Sequence, residues 1–286
     1  MRRFVCVAAV AVLALPGTVP TIRGAETVDD LLRSTAAALD AGQADRALAL
    51  AGKEAEAAPK DSRPYLLRGR AQAALRRHAE AVADFDRAIA LDPKAAAAYD
   101  ERGSEHFKLG HVAESLQDFD RFLQLRPEAR PAHWKRGISC FYAGRFDEGR
   151  QQFEAGREVY HDDVENAAWH FLCVARLAGL DKARASLLKI GQDPRVPLME
   201  VYALYAGKAK PDAVLAAARA GKPGAAELNE RLFYAHLYLG LYADVTGEPK
   251  QALDHLTRAV EDHPIDHYMW DVARLHRDRL RAKGPK

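Results

Sequence analysis

The chain has 286 residues, 48% hydrophobic, 29% charged and 8% aromatic, with 42 Lys and Arg against 40 Asp and Glu. These figures exclude a disordered, collagen-like or disulfide-dense chain and fit an ordinary domain or an elongated array. A formal net charge of +2 supplies no strong field for phosphates, so nucleic acid is not an expected partner.

The N-terminus opens with Met1, Arg2 and Arg3, followed by an apolar run from Phe4 to Leu15 that ends at Pro16 and Gly17. A positive start before a short apolar run reads as a secretory signal, and the run falls short of the roughly 20 residues that span a bilayer. We expect residues 1–25 to be the signal peptide, with a retained interfacial anchor as the alternative and a periplasmic or secreted destination. Its loss would remove three arginines and bring the net charge from +2 to −1. Cys6 precedes most of the apolar run instead of following it, so no lipid anchor is expected. Cys140 and Cys173 are too few and too far apart for a metal site or a disulfide framework; both read as small core hydrophobes, a disulfide between them being the alternative.

From Val28 onward the chain repeats with a period of 34. Tyr65 aligns with Tyr99, Gly69 with Gly103 and Gly137, Phe85 with Phe119 and Phe153, and Pro59 with Pro93 and Pro127. A second ladder runs Gly42, Arg76, Gly110, Gly144, and the internal offsets return at Gly240, Gly247, Ala252, Ala259 and Pro264. Within a unit the apolar spacing is helical, as in Ala81, Phe85, Ala88 and Ile89, with Gly and Pro kept to the joints, which predicts two helices per repeat. Small residues at the Gly69 and Ala81 positions allow close approach, Phe85 fills the gap, and Pro93 stops the second helix.

The ladder Tyr65, Gly69, Ala81, Phe85, Ala88, Pro93 resembles the tetratricopeptide repeat. The resemblance implies an all-α fold, a right-handed superhelix of about seven helix pairs closed by a C-terminal capping helix from His267 to about Arg281, its Arg and Asp residues facing solvent. Clear repeats are expected at 62–95, 96–129, 130–164 and 233–266, degenerate ones at 28–61 and 165–232, the solenoid ending at 282 before a tail at 283–286. The order of parts, with an aromatic third repeat and a final one opened by Asn229 to Tyr234, is also similar to the NlpI-like periplasmic adaptor proteins, although the lipid-acceptor cysteine of those proteins is missing.

By the same resemblance, the first helix of each pair lines a concave groove. The groove positions are Arg63, Leu66 and Arg70; then Asp100, Ser104, Phe107 and Lys108; then Trp134, Ile138, Phe141 and Tyr142; and, with register open by one residue, Asn166, Trp169, Cys173 and Arg176. Trp134, Ile138, Phe141 and Tyr142 share a stripe at helical spacing beside Trp169, and Arg70, Asp100, Lys108 and Arg176 form a charged rim, the layout of a peptide groove. Either tryptophan could instead pack between helices. Tyr234, Tyr238 and Tyr242 read as packing. Chaperone-binding members hold a carboxylate with Lys, Asn and Arg at positions that here hold Leu66, Arg70, Glu101, Pro131 and Lys135, so that clamp is absent.

No phosphate loop, zinc-binding His pair around a Glu or nucleophile elbow is present in the sequence. His263 and His267 straddle Pro264, and His161, Asp162 and Asp163 read as a solvated turn. The expectation is a non-enzymatic adaptor without cofactor or metal, binding a protein or peptide segment from the cell envelope. The alternatives are a self-associating structural protein, as a homodimer, or an enzyme or metal protein with its site in the degenerate repeats.

Overall fold

The structure is a computed structural model and describes residues 27–284; the expected signal peptide lies outside the described residues. Among the described residues the regular elements are helices, joined by turns and loops and by a short 3-10 segment at Pro127–Ala132. Seven pairs follow one another: α1 (Val28–Asp40) and α2 (Ala44–Ala57), α3 (Ser62–Ala74) and α4 (His78–Leu91), α5 (Ala96–Lys108) and α6 (Val112–Leu125), α7 (Trp134–Tyr142) and α8 (Phe146–Gly156), α9 (Val164–Ala178) and α10 (Leu180–Ala185), α11 (Leu198–Tyr205) and α12 (Pro211–Arg219), α13 (Ala225–Val245) and α14 (Pro249–Glu261). A last helix, α15 (Tyr268–Lys283), completes this α-solenoid.

The 34-residue ladder acquires a physical meaning inside each pair. A Cβ built on Gly69, Gly103 or Gly137 would lie 2.6, 2.8 and 2.6 Å from the ring of Phe85, Phe119 or Phe153. Only a hydrogen at those positions lets the rings reach the backbone of the preceding helix, and all three rings are buried. In α13 and α14 the same place is filled by Leu256, 2.7 Å from the Cβ that Gly240 lacks.

A polar element repeats with the same period. Arg68 reaches Asp84 at 2.8 and 2.5 Å, and Arg102 reaches Asp118 at 2.8 and 2.6 Å, each clasping the first helix of a pair to the second. Arg136, the third in the series, turns instead to Asp120 of the preceding pair at 2.6 Å and to Glu148 at 3.0 Å. Bidentate guanidinium geometry satisfies both partners of these largely buried pairs.

The turns inside the pairs need a left-handed residue, supplied by Gly42, Gly110, Gly144 and Gly247. Arg76 occupies the same place with φ 58°, a conformation that L side chains adopt only at a cost. Its side chain reaches α15, lying over the Trp270 ring at 4.8 Å and 3.4 Å from Asp271.

The last helix departs from expectation. It does not face solvent as a polar cap, for Met269, Asp271, Val272, Ala273, Leu275, His276 and Leu280 are buried. It crosses the C-terminal ends of α3, α5 and α7: Asp271 meets Arg76 just after α3, Arg274 donates to the carbonyl of Lys108 at the end of α5, and Arg279 donates to the carbonyl of Tyr142 at the end of α7 at 2.7 Å. Guanidinium groups at helix C-termini complement both the orphan carbonyls and the negative end of the dipole. The arginines that make α15 look solvated are thus the groups that dock it.

Cys140 and Cys173 are buried free thiols, and burial pushes the Cys140 thiol up to about 11. Among the described residues no helix is long and apolar enough to cross a membrane.

Candidate functional site

Docking of α15 divides the expected groove. Phe107 is completely buried, stacked on Tyr268 at 5.2 Å, and Tyr142 is buried with its hydroxyl donating to the carbonyl of Val272 at 3.3 Å and 3.0 Å from His276 Nδ1. Both were expected to face a partner; they face α15 instead, because large aromatics at the ends of α5 and α7 form the apolar seat for that helix. Arg176 is likewise engaged, with Asp244 of α13.

The rim residues near α3 and α5 form a linked polar surface. Arg70 pairs with Glu101 at 3.0 Å. Asp100 accepts from Lys135 at 2.8 Å and lies 3.0 Å from His133 Nε2, while Ser104 donates to the Asp100 carbonyl at 2.9 Å and stands 3.0 Å from the Lys135 ammonium. Burial alone would raise the Asp100 carboxyl, but the Lys135 charge and the His133 hydrogen bond outweigh it and hold the group well below the usual range. Lys108 is held by Glu105 at 2.6 Å. A shallow cavity of about 500 Å³ opens over these groups, lined by Ser104, Lys108, Trp134 and Lys135 and closed on the far side by Tyr268 and Asp271.

Beside it lies a smaller, more apolar cavity of about 200 Å³ between α7, α8, α9 and the start of α15. Four expected groove residues converge there: Trp134, Ile138, Asn166 and Trp169. Trp134 is half-buried, edge-on to Tyr268 at 5.3 Å, and stands at the seam of both cavities. Trp169 is 2% exposed and stacks on Phe153 at 6.3 Å, so it serves as a wall more than as a free anchor. Asn166 donates through Nδ2 to the Phe153 carbonyl at 2.9 Å.

Other lining residues were not singled out from the sequence as groove residues: Tyr160, Asp163, Glu165, Arg195, His267 and Met269. Asp163 is the N-cap of α9, accepting from the Asn166 N–H at 2.9 Å. Arg195 comes from the loop between α10 and α11 and spans Asp193 at 2.6 Å, Glu165 at 2.7 Å and Asp163 at 3.1 Å. Glu165 also accepts from the Tyr238 hydroxyl at 2.6 Å. Asp163 carried a sequence signal as part of a polar turn; nothing periodic ties Arg195 to it.

Residues 37–96 and 101–159 match the tetratricopeptide repeat family model. These two segments are tetratricopeptide repeats. Among solved structures, the chain is similar to a tetratricopeptide repeat protein from Parabacteroides merdae, at 18% identity and a TM-score of 0.57, over 87% of this chain and 98% of that one. It is also similar to MamA from Desulfovibrio magneticus, at 17% identity and a TM-score of 0.51, over 55% of this chain and 89% of that one. At such identities the likeness concerns the fold alone. No curated protein matches the chain in a sequence search.

Proposed function

We propose that this tetratricopeptide protein is a non-enzymatic adaptor, exported by its N-terminal signal, that holds a segment of another cell-envelope protein on its concave face. The observation that carries the reading is the partly exposed Trp134, placed where an aromatic cavity and a polar one adjoin. A large rigid ring beside satisfied polar groups is the usual make-up of an anchoring point in a protein interface. The groups around it are paired with one another, as in Asp100 with Lys135 and Lys108 with Glu105, which suits recognition better than proton transfer. The similarity in the order of repeats to NlpI-like adaptors supports an envelope setting, and the charged start and apolar run of residues 1–15 support export.

Affinity capture from a cell-envelope extract tests the reading. The purified protein is run beside Trp134→Ala and Lys135→Glu, each first checked by circular dichroism. Selective loss of one retained envelope protein with both variants is expected. Retention of the same proteins by all three forms overturns the assignment of the concave face. A fusion of residues 1–30 to a reporter active only after export tests localisation, and an inactive reporter overturns it.

A further inference from the structure

The charge around Arg195 does not balance. Asp163, Glu165 and Asp193 all lie within 3.1 Å of this single guanidinium. On the other side of Glu165 and Arg195 a second cavity, of about 230 Å³, is bordered by Glu227 and Glu230 of α13, with Arg231 paired to Glu227 at 2.5 Å. Four carboxylates thus line the two cavities here against two guanidiniums, before Asp193 beneath them is counted. The walls are aromatic: Trp134, Tyr160 and Trp169 on one side, Tyr234 on the other. Excess carboxylate at the mouth of an aromatic-walled cavity fits a ligand with an apolar stem and a cationic head, the stem lying along indole and the head meeting oxygen.

We propose that the cavity between α7 and α9 takes the side chain of a lysine or arginine from the bound partner segment, its charge meeting Glu165 and Asp163 and its methylenes packing on Trp134. This rests on the reading of the concave face as the binding surface and adds the chemistry of what it selects. A volume of about 200 Å³ accommodates one long side chain and excludes a helix. The resident groups agree: burial, together with Asp163 and Asp193, pushes the Glu165 carboxyl up to about 7 despite Arg195 and the Tyr238 hydroxyl. A second cation relieves that repulsion and lowers the carboxyl again, so binding releases a proton near neutrality and strengthens as pH rises from 6 to 8. The other groups facing this carboxylate are Tyr234 and Glu230 on α13 and His267 before α15; burial holds the His267 imidazole below its ordinary range, so the Glu165 carboxyl governs the change between pH 6 and 8.

The test uses the purified protein with its three tryptophans labelled with nitrogen-15, titrated with the amides of N-acetyl-arginine and N-acetyl-lysine, with N-acetyl-citrulline amide as the uncharged isostere. Trp270, on α15 under Arg76, serves as internal reference. At least one cationic probe is expected to shift the Trp134 and Trp169 indole signals with a millimolar dissociation constant, citrulline binding about tenfold more weakly. Glu165→Gln should weaken the cation about fivefold, and the exposed Glu230→Gln about twofold with the fold untouched. Equal binding of arginine and citrulline, absence of any shift at about 50 mM probe, or weaker binding at pH 8 than at pH 6 overturns the proposal. If capture of an envelope protein still depends on Trp134 when the cationic probes fail, the concave-face reading stands and the chemistry assigned to the cavity falls.

Discussion

Replacing Gly137 with alanine sets two effects of similar size against each other. Alanine gains about 1 kcal/mol over glycine in a helix interior, because it loses less backbone freedom on folding. At Gly137, however, the new Cβ meets three atoms of the Phe153 ring at 2.6, 2.8 and 2.9 Å. The ring is 1% exposed and backed by Trp169, stacked at 6.3 Å, so it has nowhere to retreat. Overpacking of this kind costs about 1–3 kcal/mol, which leaves Gly137→Ala destabilised by about 1 kcal/mol. Gly52, inside α2, has nothing within 4 Å of its would-be Cβ, so Gly52→Ala should gain up to about 1 kcal/mol. Urea unfolding followed by tryptophan fluorescence reads the difference, since Trp169 senses Phe153 directly, and the slopes of the two variants should match wild type. A Gly137→Ala variant as stable as wild type would refute the idea that the glycine ladder exists to admit the phenyl rings.

Tyr142→Phe removes the hydroxyl that joins His276 and the Val272 carbonyl and should cost about 1 kcal/mol in the same urea assay. At position 76 the left-handed backbone separates two truncations that both lose Asp271: Arg76→Gly should be about 1 kcal/mol more stable than Arg76→Ala by thermal melting. Acid should weaken the junction of α13 and α14, where the buried His236 lies 2.9 Å from His255 and stacks on His263. Burial and the neighbouring imidazoles, with Arg258 and Arg219, lower its pKa to about 3, so the folded state stays neutral while the unfolded chain takes up a proton below about pH 6.5. Its contribution is whole above that pH and declines on acidification, by about 2 kcal/mol at pH 5, and His236→Gln should flatten that part of the stability profile.

The helix pairs could be read from the sequence because Gly69, Phe85 and Pro93 each answer to a local demand that recurs every 34 residues. The burial of α15 could not. Its arginines have the same composition whether they end in water or on the carbonyls of Lys108 and Tyr142, and nothing in a helical pattern names the surface a distant helix meets. Trp134, Ile138, Asn166 and Trp169 were found together because three-four spacing and a fixed repeat bring them to one cavity. Arg195 escaped notice because a loop residue has no period, and its partners Asp163 and Glu165 stand about thirty positions earlier. The break in the Arg68, Arg102, Arg136 series, by contrast, was open to reading: the position of Asp84 and Asp118 holds Gln152 in the third repeat, so Arg136 keeps only the carboxylate of the preceding pair, Asp120, as Arg102 keeps Asp86, and adds Glu148.

The crossing of α15 over α3, α5 and α7 also sets an order of events during synthesis. Each helix pair closes on contacts only tens of residues apart, but the seat of α15 joins Arg76 to Asp271 across 195 positions and Tyr142 to His276 across 134. On a growing chain the pairs can form in sequence while Phe107 and Tyr142 stay bare, and the seat is filled only when α15 emerges. A ribosome stalled shortly before that point would carry a nearly finished solenoid with an apolar strip open to any passing helper or aggregate.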